Sequence, residues 1–243
     1  MEIKGKIALV TGGAKRVGRE IAIRLAKQGA SIALHYKSSE PEAAKTAEAI
    51  RSLGVDCHLF KADLSDAKQT LDMAEKAYAQ LRSIDVLVNN ASVYYKTPIG
   101  QVNEADWDRL IAANLKGPFL LSTTIGNRMA QKNGGKIVNI ADWSGFRPYR
   151  DFGPYCISKG GLITLTKSLA RDLAPKVQCN AIAPGPVLAP PGMPEEERAA
   201  IARTTALGRW GSPGDVAGAV AFLIENDFIN GTVLVVDGGR SIV

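Results

Sequence analysis

The feature that most constrains this chain is an alternation. Seven short apolar runs are separated by segments of helical period. "KIALVTGG" is β-rich and ends in glycines. "RVGREIAIRLAKQGA" follows with Ile21 and Leu25 on one helical face and Gly29 as a stop. "SIALHY" predicts a second strand, about 41–54 a second helix, and "DCHLFKADLS" a third strand. Residues of about 66–82 read as helical and "IDVLVNNAS" as the fourth strand. A longer helical region spans about 104–131, followed by "GKIVNIAD" as the fifth strand. Pro154 suits the first turn of a helix running to about Ala174. "VQCNAIAPG", a helix over about 213–225 and "GTVLVVDGG" complete the series. Buried strands alternating with helices predict a parallel sheet covered on both faces, and right-handed crossovers make it doubly wound. The expected fold class is therefore α/β, one Rossmann-type domain over 1–243 with about seven strands. The least regular stretch, 184–210, carries Pro190, Pro191 and Pro194 ahead of a short charged helix and reads as a flap over a site.

The remaining composition narrows the partners. The 243 residues are 46% apolar and 22% charged, which suits a soluble globular protein. No apolar run reaches the ~20 residues of a membrane span, and a first strand beginning by about Lys6 leaves no room for a signal peptide. Cys57, Cys156 and Cys179 form no CxxC pair, and His35 and His58 are the only histidines, so no metal site is expected. Unpaired thiols fit a reducing, cytoplasmic setting. The net charge of +6 favours solubility or a polyanionic small molecule; without a basic run or reading motif, nucleic acid is disfavoured.

Doubly wound sheets bind ligands beyond the carboxyl ends of their strands, and the unusual residues gather there. In "TGGAKRVG", Gly12 and Gly13 allow a tight turn, Gly18 allows close helix packing, and the helix N-terminus attracts phosphate. An acid at the end of the second strand would bind a ribose 2′-hydroxyl and repel a 2′-phosphate. The sequence there is "LHYKSS" instead. His35, Lys37, Ser38 and Ser39 can donate to a phosphate, with Lys15 and Arg16 nearby; the plainer reading is a polar loop. The expected cofactor is NADPH/NADP+ rather than NADH. Tyr155 and Lys159, four apart at the start of a helix, share one face, where an ammonium pulls a phenol's pKa of about 10 toward neutrality.

With "ADLS", "NNAS", Asn114 in "NLKGPF", "YCISK", "NAIAPG" and a terminal "VDGG" all in order, the chain resembles the short-chain dehydrogenase/reductases over essentially its whole length. The resemblance implies that Tyr155 is the proton donor and that Lys159 holds the nicotinamide ribose. It implies that Asn114 supports a water-linked proton path and that Asp63, between Ala62 and Leu64, meets the adenine. Asn90, Ala91 and Ser92 would line the cofactor together with Gly12, Val17, Gly18 and Tyr36, and Pro184, Gly185 and Val187 would close over the nicotinamide amide. Relatives are commonly tetramers, so a homotetramer is expected.

Two departures refine the resemblance. Arg16 stands where the family pattern TGxxxGxG has its middle glycine. Asp142 stands where the family has a serine, thirteen residues before the tyrosine. Both are similar to the pteridine reductase branch, as are "LHYKSS" and "NNASVYYKTP". The resemblance implies a pterin or folate substrate, touched by Arg16, Ser92, Tyr94, Asp142 and Tyr155, with Tyr94 stacked on the ring. An ionised Asp142 has no proton to give an oxyanion but can accept from the amino and ring N–H groups of a pterin. A slipped alignment would instead make Ser144, eleven residues before Tyr155, the serine of ketone chemistry. The rival readings are a 3-oxoacyl carrier-protein or general carbonyl reductase and a nucleotide-sensing module without catalysis.

Overall fold

The computed structural model describes residues 1–190 and 192–243; Pro191 of the expected flap lies outside them. Seven strands form one parallel sheet: β1 (Ile7–Val10), β2 (Ser31–Tyr36), β3 (Cys57–Lys61), β4 (Val86–Asn89), β5 (Gly135–Ile140), β6 (Val177–Pro184) and β7 (Val233–Val236). Their spatial order is β3-β2-β1-β4-β5-β6-β7. The first three strands build outward in one direction and the rest in the other, so the reversal falls between β1 and β4. A crevice opens at such a point, because the flanking connections leave on opposite faces of the sheet. Leu9 pairs with Ala33 on one side and Leu87 on the other.

Side-chain alternation along β1 feeds two cores. Ala8 and Val10 enter one with Ile21, Leu25, Ile50, Val216 and Val220, while Leu9 enters the other with Leu87, Leu121, Ile125 and Leu169. The first core lies under α1 (Arg16–Lys27), α2 (Glu40–Arg51) and α8 (Pro213–Glu225). The second lies under α3 (Ala67–Leu81), α5 (Gly117–Ala130) and α6 (Gly153–Asp172). Local chemistry starts several of these helices. Asp66 caps α3 through Gln69 N, and Ser212 forms a capping box with Asp215 ahead of α8. Pro154 sits in the first turn of α6, as its missing N–H allows.

One element departs from expectation. The region read as a single helix over 104–131 is α4 (Glu104–Ile111), a π turn (Ala112–Lys116) and then α5. The wider turn contains buried Asn114, whose side chain bonds outside its own helix. Such insertions are common at functional sites. The flap carries α7 (Glu195–Ala202). Among the described residues no helix is long and apolar enough to cross a membrane, and no cluster of His, Cys, Asp and Glu could hold a metal ion.

Candidate active site

The crevice at the sheet reversal is a cleft of about 380 Å³. Its floor is the turn between β1 and α1. Gly12 has φ +63°, and a Cβ there would lie 3.0 Å from Ala91 Cα. At Gly18 a Cβ would lie 2.2 Å from Gly12 O and 2.5 Å from Asn90 Nδ2, so only glycine lets α1 start this close. Thr11 Oγ1 accepts from Asn90 N (2.9 Å) and Ala91 N (3.0 Å), tying the end of β1 to the end of β4. Asn90 Nδ2 donates back to Thr11 O at 2.9 Å. His35 completes the brace: Gly12 N donates to its Nδ1 (3.1 Å), and its Nε2 meets Ala62 O at 3.1 Å. An amide can only donate, so Nδ1 is the acceptor and Nε2 carries the proton. Burial lowers the imidazole pKa to about 4. The cleft's other wall holds Lys37, Ser38 and Ser39 opposite Asp63, Leu64 and Ser65, with Lys37 Nζ 2.5 Å from Asp63 Oδ2. Burial opposes ionisation of Asp63, yet hydrogen bonds from Lys37 and Ser65 outweigh it and hold the carboxyl below its ordinary range.

The second half of the site hangs on β5 and α6. Asp142 follows β5, and its Oδ1 accepts from Ser144 N at 2.8 Å, which fixes the carboxylate. Its Oδ2 accepts the Tyr155 hydroxyl at 2.9 Å. Burial, the Asp142 charge and this hydrogen bond all push the Tyr155 phenol well above its ordinary range. Lys159 lies one turn further along α6, 3% exposed, with Nζ donating to Ile140 O at 2.8 Å and 5.7 Å from the Tyr155 ring centroid. Burial lowers its pKa to about 8, against the opposing pull of Asp142. Asn114 holds the two halves together. Its Oδ1 accepts from Val93 N (2.7 Å) and Ser92 Oγ (3.3 Å), and its Nδ2 donates to Val93 O (2.9 Å) and Ser158 Oγ (3.2 Å).

Four aromatic rings, Tyr94, Phe152, Tyr149 and Trp143, lead up to Tyr155. Tyr94 meets Tyr155 edge-on at 4.8 Å and stacks on Phe152 at 4.6 Å. Phe152 meets Tyr149 at 6.0 Å, and Tyr149 meets Trp143 at 5.4 Å, both edge-on, with Trp143 Nε1 donating to the Tyr149 hydroxyl. Offset and edge-on pairs are the favoured geometries of aromatic quadrupoles.

Comparison with known proteins places this arrangement. Residues 6–200 match the family model for short chain dehydrogenase. The chain belongs to the short-chain dehydrogenase/reductase family. Family membership makes it an oxidoreductase whose cofactor is a nicotinamide dinucleotide. The 3-oxoacyl-[acyl-carrier-protein] reductase FabG of Staphylococcus aureus (strain Mu50) is 34% identical over 239 residues, covering 96% of this chain and 97% of that protein. Among solved structures, a blue fluorescent protein from a metagenomic library, in complex with NADPH, is 33% identical with a TM-score of 0.92, covering 99% of both chains. The angucycline C-6 ketoreductase LanV with bound NADP is 29% identical with a TM-score of 0.93, covering 100% of this chain and 98% of that one. These likenesses support the family and not the pteridine reductase branch in particular.

As a short-chain dehydrogenase/reductase, the chain revises several sequence expectations. The residues of the cofactor cleft read from the sequence converge: Gly12, Lys15, Arg16, Val17, Gly18, Tyr36, Lys37, Ser38, Ser39, Asp63, Leu64, Asn90, Ala91 and Ser92 all line it. His35 lines it too but is not a phosphate donor, because both ring nitrogens are engaged within the protein. Ala62 is buried and does not line it; its carbonyl meets His35 Nε2. Pro184, Gly185 and Val187 lie apart from this cleft. Pro184 pairs with Val236, Gly185 packs on Asp237, and Val187 lines a separate hollow of about 130 Å³ beneath the flap. Ser144, the alternative serine of ketone chemistry, is 0% exposed, and its hydroxyl has no partner among the described residues. Asp142, at thirteen residues, is the group that touches Tyr155. The expected lowering of the Tyr155 pKa by Lys159 is not what this structure shows, since the phenol bonds to a carboxylate and the ammonium to a carbonyl. Sequence reasoning missed Thr11 as a brace, the ring wall of Phe152, Tyr149 and Trp143, and Arg240 above it. The aromatic density of "FRPYRDFG" was the available signal for the wall.

Proposed function

We propose that this chain is an NADPH-dependent reductase that delivers hydride to a C=N bond of a pterin-type ring, dihydropterin or dihydrofolate, with Tyr155 as proton donor. The carrying observation is the 2.9 Å hydrogen bond from the Tyr155 hydroxyl to Asp142 Oδ2. The cleft fits the dinucleotide. Its glycine floor admits no Cβ at Gly18, and its far wall offers Lys37, Ser38 and Ser39 to a 2′-phosphate with no acid on β2. Lys159 and Asn90–Val93 suit the nicotinamide half. When bound, the cofactor supplies the hydride.

The chain's own residues supply the rest. A reduced C=N bond leaves charge on nitrogen, which takes a proton and thereafter offers an N–H. Tyr155 keeps its proton until that moment, because burial and Asp142 oppose the phenolate. After Tyr155 gives up its proton, Asp142, which is partly exposed, can take one from solvent and pass it to the phenolate, and as a carboxylate it accepts N–H groups of the ring, two tasks a serine hydroxyl does less well. Lys159, an ammonium below its pKa of about 8, offsets the negative charge of the Asp142–Tyr155 pair. Asn114 positions Ser92 and Val93 at the ring's edge, and Tyr94 offers an aromatic surface beside Tyr155. Arg16, at φ 56°, is held in a left-handed conformation costing on the order of 1 kcal/mol, and its Nη2 donates to Leu188 O at 3.4 Å. That strain places a cation between the glycine turn and the flap, within reach of phosphate and substrate. A homotetramer formed as in other family members, with each 243-residue chain acting as one domain, completes the proposal.

The second reading is a 3-oxoacyl thioester reductase. The named curated relatives favour it, and a net charge of +6 would suit an acidic carrier protein. NADPH oxidation with 7,8-dihydrobiopterin, dihydrofolate and acetoacetyl-CoA separates the two. On the pterin reading, wild type prefers a pterin, and Asp142→Ser loses about 10²-fold or more of that turnover while still binding NADPH. Preference of the wild type for acetoacetyl-CoA, or unchanged pterin turnover in Asp142→Ser, overturns it.

A further inference from the structure

The guanidinium of Arg240 lies over the Trp143 ring, 4.7 Å from its centroid. It is partly buried, and among the described residues it makes no ion pair and no side-chain hydrogen bond. A guanidinium has five donors and keeps its charge at any physiological pH, so this one is available to an acceptor. Its backbone is fixed. Asp237, buried at the end of β7, accepts from Gly239 N (2.9 Å) and Ser241 N (2.7 Å), which shapes the turn carrying Arg240. Arg147 donates to Ser241 O at 3.3 Å and fastens that turn to the segment after Asp142. The cation thus stands at one end of the ring wall whose other end is Tyr155. Its field reaches the hydroxyls of Tyr149 and Tyr94, where it opposes the upward push of burial on both phenols.

We propose that Arg240 is a specificity-determining residue that pairs with a carboxylate on the part of the substrate outside the reduced ring. A planar, pre-positioned guanidinium beside a desolvating indole face matches a carboxylate in two-pronged geometry. Tyr94, 52% exposed, offers a ring face for a flat linker between the reduced ring and the carboxylate. The proposal rests on the pterin reading only in its choice of tail, the benzoyl-glutamate of a folate.

The test uses the full chain with NADP+ bound and p-aminobenzoyl-glutamate, the tail without the ring. Calorimetry should show binding to wild type, at least tenfold weaker binding to Arg240→Gln, and an intermediate value for Arg240→Lys. NADPH affinity serves as the folding control. With dihydrofolate and 7,8-dihydrobiopterin as substrates, the ratio of their kcat/KM values should fall at least tenfold in Arg240→Gln. No binding of the tail to wild type, or equal binding to both proteins, overturns the assignment. If the tail binds as expected but neither pterin is turned over, the pterin reading fails and the carboxylate site stands.

Discussion

His35 allows a quantitative check of how the glycine turn is held. Gly12 N requires an acceptor at Nδ1, and burial keeps the ring neutral with a pKa of about 4 against 6.5 in the unfolded chain. The folded value is depressed, so this group's contribution is fully present above pH 6.5 and is lost as pH falls toward 4. At pH 5 the unfolded ring is mostly protonated and the folded one mostly neutral. At about 1.4 kcal/mol per pH step below 6.5, the fold loses about 2 kcal/mol between pH 7.5 and pH 5 from this residue alone. The perturbation is His35→Asn, which retains an acceptor near Gly12 but no titrating ring. The assay is urea unfolding at both pH values, with protein concentration held constant because oligomers couple stability to concentration. The variant loses stability at pH 7.5, since Ala62 O loses its donor, but its loss on going to pH 5 should be about 2 kcal/mol smaller than that of wild type. Carboxylates contribute equally to both proteins and cancel in the comparison. Equal pH dependence in the two would refute the neutral, turn-bracing role.

Two further outcomes follow from the cleft. Lys37→Gln should lower the preference for NADPH over NADH by about tenfold or more in kcat/KM, as loss of one charge-assisted contact to a 2′-phosphate requires; an unchanged ratio would mean that Lys37 serves only Asp63. Gly18→Ala puts a methyl 2.2 Å from Gly12 O and 2.5 Å from Asn90 Nδ2, so the turn must open. NADPH binding monitored by fluorescence should be lost, and the melting temperature should drop; native affinity would contradict the packing.

The sheet was legible because its signal is repeated: each buried strand is an apolar run bounded by glycines or caps, and seven such runs leave few other architectures. Tyr155 and Lys159 were legible as a pair through helical spacing, and Asp142 through the resemblance, as the residue standing where the family has a serine. What spacing could not convey is which bonds compete for a side chain. His35 looked like a phosphate donor because its strand-end position suits one, but the amide of Gly12 and the carbonyl of Ala62 already take both nitrogens. The π turn was hidden for a similar reason. "RLIAANLKGPF" has good helical character throughout, and only the tertiary demand of Val93 and Ser158 on Asn114 distorts it.

The same competition explains why the site differs from the simple picture of a lysine activating a tyrosine. The Lys159 ammonium sits 5.7 Å from the Tyr155 ring centroid and donates to Ile140 O, while the Asp142 carboxylate contacts the hydroxyl directly. A contact charge outweighs a more distant one, so the tyrosine of this chain is protected from ionisation rather than prepared for it. That arrangement suits a reaction in which the proton must be kept and then replaced. It suits a developing oxyanion poorly, because the carboxylate would repel it and the hydroxyl of Ser144 is buried without a partner among the described residues. On the pterin reading, substrate chemistry turns on Asp142, and exchanging it for serine should move the activity from nitrogen heterocycles toward ketones.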